Sequence, residues 1–374
     1  MFRTEVGRMI YDPLLKFLQS KHVLHSVVIL PDFFVDHFVI ADDFNTFFNS
    51  LKQIASQGGG NLLGTKHIIR KGGNSVNTAS ALLKLGMNPI PIITTDPQGF
   101  KLLESLVDPA LNLNHIHIDG RLAATVSIEL VYDGRPVNLM VSDSGSVANF
   151  SFSELTEVDK AVLKDAELVS LLCLNHNKHG ADLARDLFSL IKSEGHGLTF
   201  MDTGDPSGNP ELISSLVHDV LSEGLVNILS VNENEIGWFA SALADDVTQW
   251  KSGKLNQSEW LKAAEFVANK IPVQLELHTP YFSASLVDDS IITFPAFEVK
   301  PKITCGAGDA WNAGRIFGLL NGLERHDCLV LANALAALYI TSEDLTHPTK
   351  EQISSFLQSS PQISISGKNL LMDR

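Results

Sequence analysis

The chain has 374 residues, of which 44% are hydrophobic and 19% are charged, so it can build a folded core and is not a disordered chain. Its formal net charge is −15, with 28 Lys and Arg against 43 Asp and Glu, and it has no block of basic residues. Binding to nucleic acid needs a cationic face, so we expect no nucleic-acid partner.

The cysteines and the apolar stretches bear on the cellular location. Cys173, Cys305 and Cys328 show no Cys-x-x-Cys spacing, so neither a disulfide framework nor a structural zinc site is expected. Residues 1–16 interleave charges with apolar residues, unlike a signal peptide. The longest apolar stretch, 329–340, is too short to span a bilayer. We therefore expect a cytoplasmic protein without a membrane partner.

Short apolar runs alternate with segments of helical period along most of the chain. This alternation predicts an α/β fold in which a parallel sheet is covered by helices on both faces. The runs predicted as buried strands are 27–30, 89–93, 168–172, 198–201, 228–231 and 273–277. Ligands of such sheets bind at the carboxyl ends of the strands, so we expect functional residues to follow these runs.

One region departs from the alternation. Two extended runs within 123–141 flank Asp133-Gly134, a dipeptide typical of a hairpin turn. We expect a small antiparallel sheet there, formed by an excursion of about 33–41 and 117–145 from a single domain that spans 1–374. The inserted segment 42–64 is predicted to contain a helix followed by a glycine-rich turn.

The strongest chemical signal is the segment 303–314, Ile-Thr-Cys-Gly-Ala-Gly-Asp-Ala-Trp-Asn-Ala-Gly. The apolar residues that follow have helical spacing, which places Gly306 to Gly308 at a helix N-terminus, where free backbone N–H groups bind anions. Asp309 would repel a bound phosphate, and a role as general base on a neighbouring hydroxyl would explain its presence. Taken alone, the pattern is more typical of a simple helix cap.

A second glycine-containing segment also precedes a predicted helix. Gly72-Gly73 leads into 76–83, whose apolar residues share one helical face, and Asn77 presents an amide from the first turn. Two adjacent glycines can admit a ligand against the backbone. A glycine-rich helix cap is the alternative interpretation.

Together these segments resemble the two signatures of the PfkB (ribokinase-like) family of carbohydrate kinases. Three further pieces occur in the family's order: 31–36, which ends in Asp36 after the first strand; Asn232-Glu233-Asn234-Glu235; and 332–337, which is similar to the helix beside the adenine. The resemblance spans 27–340. It implies a ribokinase-like three-layer α/β/α sandwich with a mainly parallel central sheet and a small β-sheet lid.

The resemblance also implies an activity, which is transfer of a terminal phosphoryl group from a nucleotide to a hydroxyl of a sugar, nucleoside or sugar phosphate. Asp309 is the implied base, and Gly306, Ala307 and Gly308 form the implied anion hole. The implied substrate-binding residues are Asp32, Asp36, Gly72, Gly73 and Asn77, and the implied nucleotide-binding residues are Asp202, Asn232, Thr279 and Asn333. Glu235 is implied to bind Mg²⁺ through water.

The sequence departs from the family pattern at two places. Ile303 stands where the family has Asp, and Thr304-Cys305 where it has small hydroxyl residues, which puts activation by a monovalent cation in doubt. His278-Thr279-Pro280 stands where ATP-using members have Thr-x-Gly, and it is similar to the ADP-dependent sugar kinases of the same fold. We expect ATP as the donor, with ADP as the alternative.

The sequence does not decide between a sugar and a sugar phosphate as the acceptor, or between an enzyme and a sensor. A sugar phosphate would need a cationic partner, and the candidates, each also interpretable as a solvated surface charge, are Arg70, Lys71, Arg121 and Arg135. A homodimer through the lid is a further expectation. The alternative from another class is a non-catalytic sensor of sugar or nucleotide, which would have no use for Asp309.

Overall fold

The described part of the chain, in a computed structural model, comprises residues 2–244, 250, 255–302 and 305–372, with side chains from residue 11 onward except 135, 136, 370 and 372. Ile303 and Thr304, where the sequence departs from the family pattern, lie outside it. The strands are β1 Ser26–Leu30, β2 Phe34–Asp43, β3 Lys66–Gly72, β4 Asn88–Pro91, β5 Ile93–Thr94, β6 Ile116–His117, β7 Ala123–Tyr132, β8 Arg135–Asp143, β9 Leu168–Leu171, β10 Leu198–Asp202, β11 Ile228–Asn232, β12 Gln274–His278, β13 Phe282–Val287 and β14 Ser290–Pro295.

The helices of the described chain are α1 Phe2–Gln19, α2 Phe44–Ser56, α3 Asn74–Lys84, α4 Pro97–Leu106, α5 Glu157–Asp165, α6 Gly180–Glu194, α7 Glu211–Leu216, α8 Ile236–Leu243, α9 Gln257–Ala268, α10 Ala307–Leu320, α11 Arg325–Thr341, α12 Lys350–Gln358 and α13 Ile365–Met372. Among the described residues, none of these helices has the length and apolar character to cross a membrane.

The central sheet has eight strands in the order β14-β13-β12-β11-β10-β9-β1-β4. The strands from β4 to β12 in this order are parallel, and β13 and β14 are added in antiparallel register at one edge. The run 89–93, predicted as one strand, is divided at Ile92: β4 belongs to the central sheet, whereas β5 pairs with β6 in a separate two-stranded sheet.

Side chains of the central strands alternate between two hydrophobic cores, as the period of a β-strand requires. In β1, Val27 and Ile29 belong to the core formed with α1, α3, α4, α10, α11 and α12. Val28 and Leu30 belong to the opposite core, formed with α5 to α9. Burial on both faces explains why these strands read as continuous apolar runs. The predicted three-layer α/β/α sandwich is confirmed.

A separate four-stranded sheet, in the order β3-β2-β7-β8, forms the lid. The β7–β8 hairpin turns at Asp133 and Gly134, and β2 pairs with β7 in parallel. The strand β3 was not predicted. The inserted segment forms α2, which packs Phe47 against Val39 and Leu130 in a small core of its own. The insertion therefore covers part of one face of the lid.

Candidate active site

The carboxyl ends of the parallel strands position one side of the site. Asp202 ends β10, Asn232 ends β11 and His278 ends β12, and the parallel register brings these ends to the same edge of the sheet. All three residues line a cleft of about 380 Å³. The opposite side of this cleft is formed by the lid, which contributes Asp36 from β2 and Thr125 from β7.

The N-terminus of α10 lies at the floor of the cleft. Gly306 is the N-cap residue with φ +82°, a left-handed conformation that favours glycine, and a side-chain carbon there would come within 2.7 Å of the Tyr339 hydroxyl. Gly306, Gly308 and Asp309 line the cleft. The backbone N–H groups of this first turn have no partner inside the helix, so the turn is suited to binding an anion.

Asp309 is a deeply buried acid of the cleft. Its side chain is 6% exposed, and its Oδ2 accepts a hydrogen bond from Asn77 Nδ2 at 3.0 Å. Burial raises the pKa of Asp309 to about 8, with Asp32 and Asp202 adding to the effect and Asn77 and Lys71 opposing it. A carboxyl group with a pKa near neutrality has the basicity that a general base requires.

The side of the cleft that holds the predicted substrate-binding residues is built by β2, β3 and the start of α3. Burial and the nearby Asp32 raise the pKa of Asp36 to about 7, against the opposing charge of Lys71. The α-carbon of Gly72 lies against the Asp36 carboxyl group, so any side chain at this position would overlap it. Asp36, Gly73 and Asn77 line the cleft together.

Asp32 has a different environment from the other predicted substrate-binding residues. It is fully buried and does not line the cleft. Its Oδ2 accepts a hydrogen bond from the Asn74 N–H at 2.7 Å, and its Oδ1 accepts from the Ser75 N–H at 2.9 Å and from the Ser75 hydroxyl. Asp32 therefore caps α3 and fixes the helix that carries Asn77.

Carboxyl groups dominate the side of the cleft that follows β10 and β11. Glu235, which is 2% exposed, accepts hydrogen bonds from the Asn232 N–H at 2.9 Å and from Asn232 Nδ2 at 2.7 Å. Burial, together with Asp202, raises the pKa of Glu235 well above its usual range. Asp202 accepts hydrogen bonds from Asn312 Nδ2 at 2.7 Å and from the Gly204 N–H at 3.0 Å.

These residues fit a hydrated magnesium ion. Asp202, Asp205 and Glu235 all line the cleft, and none of its described lining residues is Lys or Arg, so a bound cation would balance their charge. In the described ranges, no three His, Cys, Asp or Glu side chains are grouped closely enough to hold a metal ion directly. Mg²⁺ commonly keeps several of its waters in proteins, and Asp202 and Glu235 are placed to hold such waters.

A second cavity of about 310 Å³ adjoins the cleft through Asn232, His278 and Gly308. The predicted nucleotide-binding residues Thr279 and Asn333 line it. The remaining wall is largely apolar, with one carboxyl group, and consists of Glu233, Pro280, Ala296, Phe297, Val299, Ala307, Trp311, Ala336, Ala337 and Ile340. A largely apolar cavity with a few polar side chains suits a flat aromatic base.

The two predicted residues of this cavity are already hydrogen-bonded. Asn333 Oδ1 accepts a bond from Trp311 Nε1 at 2.8 Å. The Thr279 hydroxyl donates to the Phe282 carbonyl at 2.8 Å and accepts from the Phe282 N–H at 3.0 Å, which closes the turn between β12 and β13. Their predicted contacts with a nucleotide stay a prediction.

His278 is a residue of the site that sequence reasoning did not select. It lines both cavities, and its ring stacks on Trp311 with centroids 4.9 Å apart. Its Nε2 is buried without a hydrogen-bond partner in the described structure, and burial lowers the pKa of the ring. The sequence marked the segment 278–280 as a departure from the family pattern at the end of a strand. The role of the ring itself could not be predicted, because its contacts depend on how α10 packs against β12.

Cys305 lies beside Asp309 in the same cleft and was not predicted to act as a nucleophile. Burial raises the pKa of its thiol to about 12, so the thiolate is scarce at neutral pH.

Solved structures of small-molecule kinases share this arrangement of strands and helices. Arabidopsis thaliana ribokinase complexed with ribose and ATP aligns with a TM-score of 0.65 and 17% identity, over 90% of this chain and 99% of that one. Adenosine kinase from Sinorhizobium meliloti aligns with a TM-score of 0.60 and 15% identity, over 87% of this chain and 95% of that one. The nucleoside kinase of Burkholderia thailandensis in complex with inosine aligns with a TM-score of 0.58 and 14% identity, over 90% of this chain and 98% of that one. The fold is ribokinase-like.

The sequence itself assigns the family. Residues 56–352 match the pfkB family carbohydrate kinase, and this match covers most of the chain. The protein therefore belongs to the PfkB family, and the predicted resemblance is confirmed. No curated protein sequence matched the chain.

Proposed function

We propose that the protein transfers the terminal phosphoryl group of a nucleotide to a hydroxyl group of a sugar, nucleoside or sugar phosphate. The observation that carries this proposal is the position of Asp309 at the N-terminus of α10, in hydrogen-bond contact with Asn77 of α3. A proton acceptor thus lies between a helix end that suits a phosphate and a loop that suits a sugar.

In this mechanism Asp309 accepts the proton of the acceptor hydroxyl while the hydroxyl oxygen attacks the terminal phosphorus. A new phosphorus–oxygen bond forms, the bond to the bridging oxygen of the nucleotide breaks, and the shortened nucleotide leaves with that oxygen. The backbone N–H groups of Gly306, Ala307 and Gly308 stabilise the charge of the transferred group. Most of the rate enhancement comes from this positioning and charge stabilisation.

The acceptor is held by polar groups of the lid and of α3. Asp36 and Asn77 hydrogen-bond its hydroxyl groups, with the backbone of Gly73 beside them in the wall of the cleft. Gly72 acts indirectly, because the absence of a side chain there leaves room for the Asp36 carboxyl group. Asp32 acts indirectly by capping α3. The lid closes over the acceptor and excludes water, which limits hydrolysis of the nucleotide.

The donor lies along Asp202, Asn232 and His278, with its base in the cavity lined by Thr279 and Asn333. Mg²⁺, when bound, neutralises phosphate charge, and Asp202 and Glu235 orient its water shell. We propose ATP as the donor, in keeping with the ATP in the Arabidopsis ribokinase structure, and ADP as the alternative.

We further propose a homodimer and a cytoplasmic location for the protein. The lid exposes Ile69, Val126 and Val141, which are 57%, 38% and 66% exposed, and this apolar surface supports a homodimer through the lid. A cytoplasmic location fits the unpaired cysteines.

The proposal is tested by turnover with ATP or ADP against a panel of sugars, nucleosides and sugar phosphates, after a thermal-shift screen has selected the ligands that bind. We expect a phosphorylated product with at least one acceptor. Binding of sugar and nucleotide without turnover on any acceptor would instead support the non-catalytic sensor.

A further inference from the structure

A third cavity, of about 370 Å³, opens beside the acceptor side of the cleft. It shares Asp36, Asn77 and Cys305 with the cleft, so the two spaces adjoin at these residues. Its other walls are β3, the second half of α3, the end of α4 and the loop 344–347 after α11. A molecule whose hydroxyl group lies at Asp309 can therefore extend into this cavity.

Three cationic side chains, Arg70, Lys71 and Lys84, line this cavity. Lys84 is paired with Asp108 at 2.8 Å, so their charges offset each other. Lys71 Nζ donates to Asn77 Oδ1 at 2.9 Å. An ammonium group has three N–H donors. Within the described chain Asn77 is the only acceptor for the Lys71 ammonium group, so its other two donors can bind a ligand.

The acidic residues of the cavity do not cancel the remaining charge. Asp344 is exposed at the rim, where its backbone carbonyl accepts a hydrogen bond from Arg70. The raised pKa of Asp36, about 7, leaves it only partly ionised at neutral pH. Burial lowers the pKa of Lys71 to about 8, which still leaves its ammonium group mostly protonated at neutral pH. Arg70 and Lys71 therefore give the wall formed by β3 a positive potential.

His347 provides an independent indication of a ligand. It is 6% exposed and lines the cavity, and its ring stacks on Tyr339 with centroids 4.5 Å apart. Neither Nδ1 nor Nε2 has a hydrogen-bond partner among the described residues. A buried polar group without a hydrogen-bond partner destabilises the fold, so the unpartnered imidazole of His347 indicates a ligand in the cavity. Burial, with Lys71 and Lys84, lowers the pKa of the ring, which is then neutral and can donate one N–H.

We propose that the third cavity binds an anionic group of the acceptor, at a distance from the hydroxyl group that is phosphorylated. This proposal rests on the phosphotransferase function. Because Arg70, Lys71 and His347 would hold the group, we call this space the anion cavity. The group is a phosphate or a carboxylate, since either offers oxygens to the guanidinium, ammonium and imidazole N–H donors. The acceptor is accordingly a sugar phosphate or a sugar acid.

Matched pairs of acceptors test the proposal: ribose 5-phosphate against ribose, fructose 6-phosphate against fructose, and gluconate against glucose. Both kcat/KM and calorimetric binding are measured. We expect the protein to favour the anionic member of at least one pair by tenfold or more, and the pair concerned tells phosphate from carboxylate. Equal values for both members of every pair would overturn the proposal.

Variants of the cavity residues test whether the preference for the anionic acceptor arises at this cavity. His347→Phe keeps the ring stack and removes the nitrogens, and Arg70→Gln removes a charge. We expect each to lower the preference for the anionic member at least fivefold, whereas Arg185→Gln, on α6 at the opposite face of the sheet, leaves it unchanged. An unchanged preference in both cavity variants contradicts the proposal. Binding needs no turnover, so a chain that binds the anionic member selectively without phosphorylating it refutes the kinase function and not the anion cavity.

Discussion

Asp309 combines deep burial with a hydrogen bond from Asn77 and a raised pKa of about 8. Only the deprotonated carboxylate can accept the proton of a hydroxyl group. We therefore expect kcat/KM to rise with pH along an acid limb near 8, far above the usual range of a carboxyl group.

The charge of Lys71 provides a test of this assignment. Because Lys71 lowers the pKa of Asp309, Lys71→Met should raise that pKa and move the acid limb to higher pH. The measurement is the pH profile of kcat/KM, with Lys101→Met on the exposed face of α4 as the control. An acid limb near 4 in the unmodified protein, or an unshifted limb in Lys71→Met, would contradict the assignment.

The buried Nε2 of His278 has no hydrogen-bond partner among the described residues and lies where the cleft meets the second cavity. If this nitrogen contacts the donor, His278→Leu should weaken nucleotide binding about tenfold or more, the equivalent of roughly 1–3 kcal/mol for one buried hydrogen bond. His278→Asn, which retains a donor, should recover part of the loss. Calorimetric titration with ATP and ADP measures both, and an affinity unchanged in His278→Leu would exclude the contact.

At the scale of elements, α10 is joined to the central sheet by a buried ion pair. Arg315 of α10 lies 2.8 Å from Glu276 of β12, and their side chains are 1% and 0% exposed. Glu276 also accepts a hydrogen bond from Ser285 of β13 at 2.9 Å. The pair thus helps to fix the helix that carries Asp309.

Breaking this pair should be costly because it leaves a charge buried without its partner. We expect Arg315→Met to lower the free energy of unfolding by about 3–5 kcal/mol, and Arg315→Met combined with Glu276→Leu to recover much of the loss. Urea unfolding measures both. A loss below about 1 kcal/mol in the single variant would show that the pair contributes little.

A second link between elements is sensitive to pH. Asp159 at the start of α5 accepts hydrogen bonds from His115 at 2.7 Å and from His117 of β6 at 3.0 Å. The bond to Asp159 raises the pKa of His117 above its usual 6.5, despite burial. Burial acts to raise the pKa of Asp159, but the bonds from His117, Thr156 and His115 lower it below 3.8.

The two pKa shifts make the stability of this contact depend on pH. His117 contributes fully to the free energy of unfolding below pH 6.5, and this contribution is lost as the pH rises through its pKa in the folded protein. Asp159 contributes fully above pH 3.8, and its contribution is lost as the pH falls through its lower pKa in the folded protein. The Tm difference between the unmodified protein and Asp159→Asn should therefore be largest between these values and smaller at pH 9. A difference that is constant from pH 5 to 9 would contradict the link.

At the scale of the whole molecule, most of the architecture could be predicted because the central strands are buried on both faces. Val27 to Leu30 form a continuous apolar run for this reason, and Asp133-Gly134 marks the hairpin of the lid. The strand β3 could not be predicted, because Ile68 and Ile69 lie between charged residues and the segment is a strand only through its pairing with β2.

The sequence predicted the residues of the candidate site that belong to the two signatures, but not the buried histidines around them. The residues of the two signatures meet in one cleft, as the contact of Asn77 with Asp309 shows, although 232 positions separate them. The buried nitrogens of His278 and His347 could not be predicted, because each depends on a ring brought against it by tertiary packing, Trp311 in one case and Tyr339 in the other.

The most direct test of the proposed function is transfer of the terminal phosphate of a labelled nucleotide to the acceptor by Asp309→Asn. The asparagine keeps the size of the side chain and cannot accept the proton, so we predict a fall in kcat of about 10²-fold or more. Asp289→Asn, exposed in the turn between β13 and β14, should retain full activity. Transfer by Asp309→Asn at the unmodified rate would contradict the account.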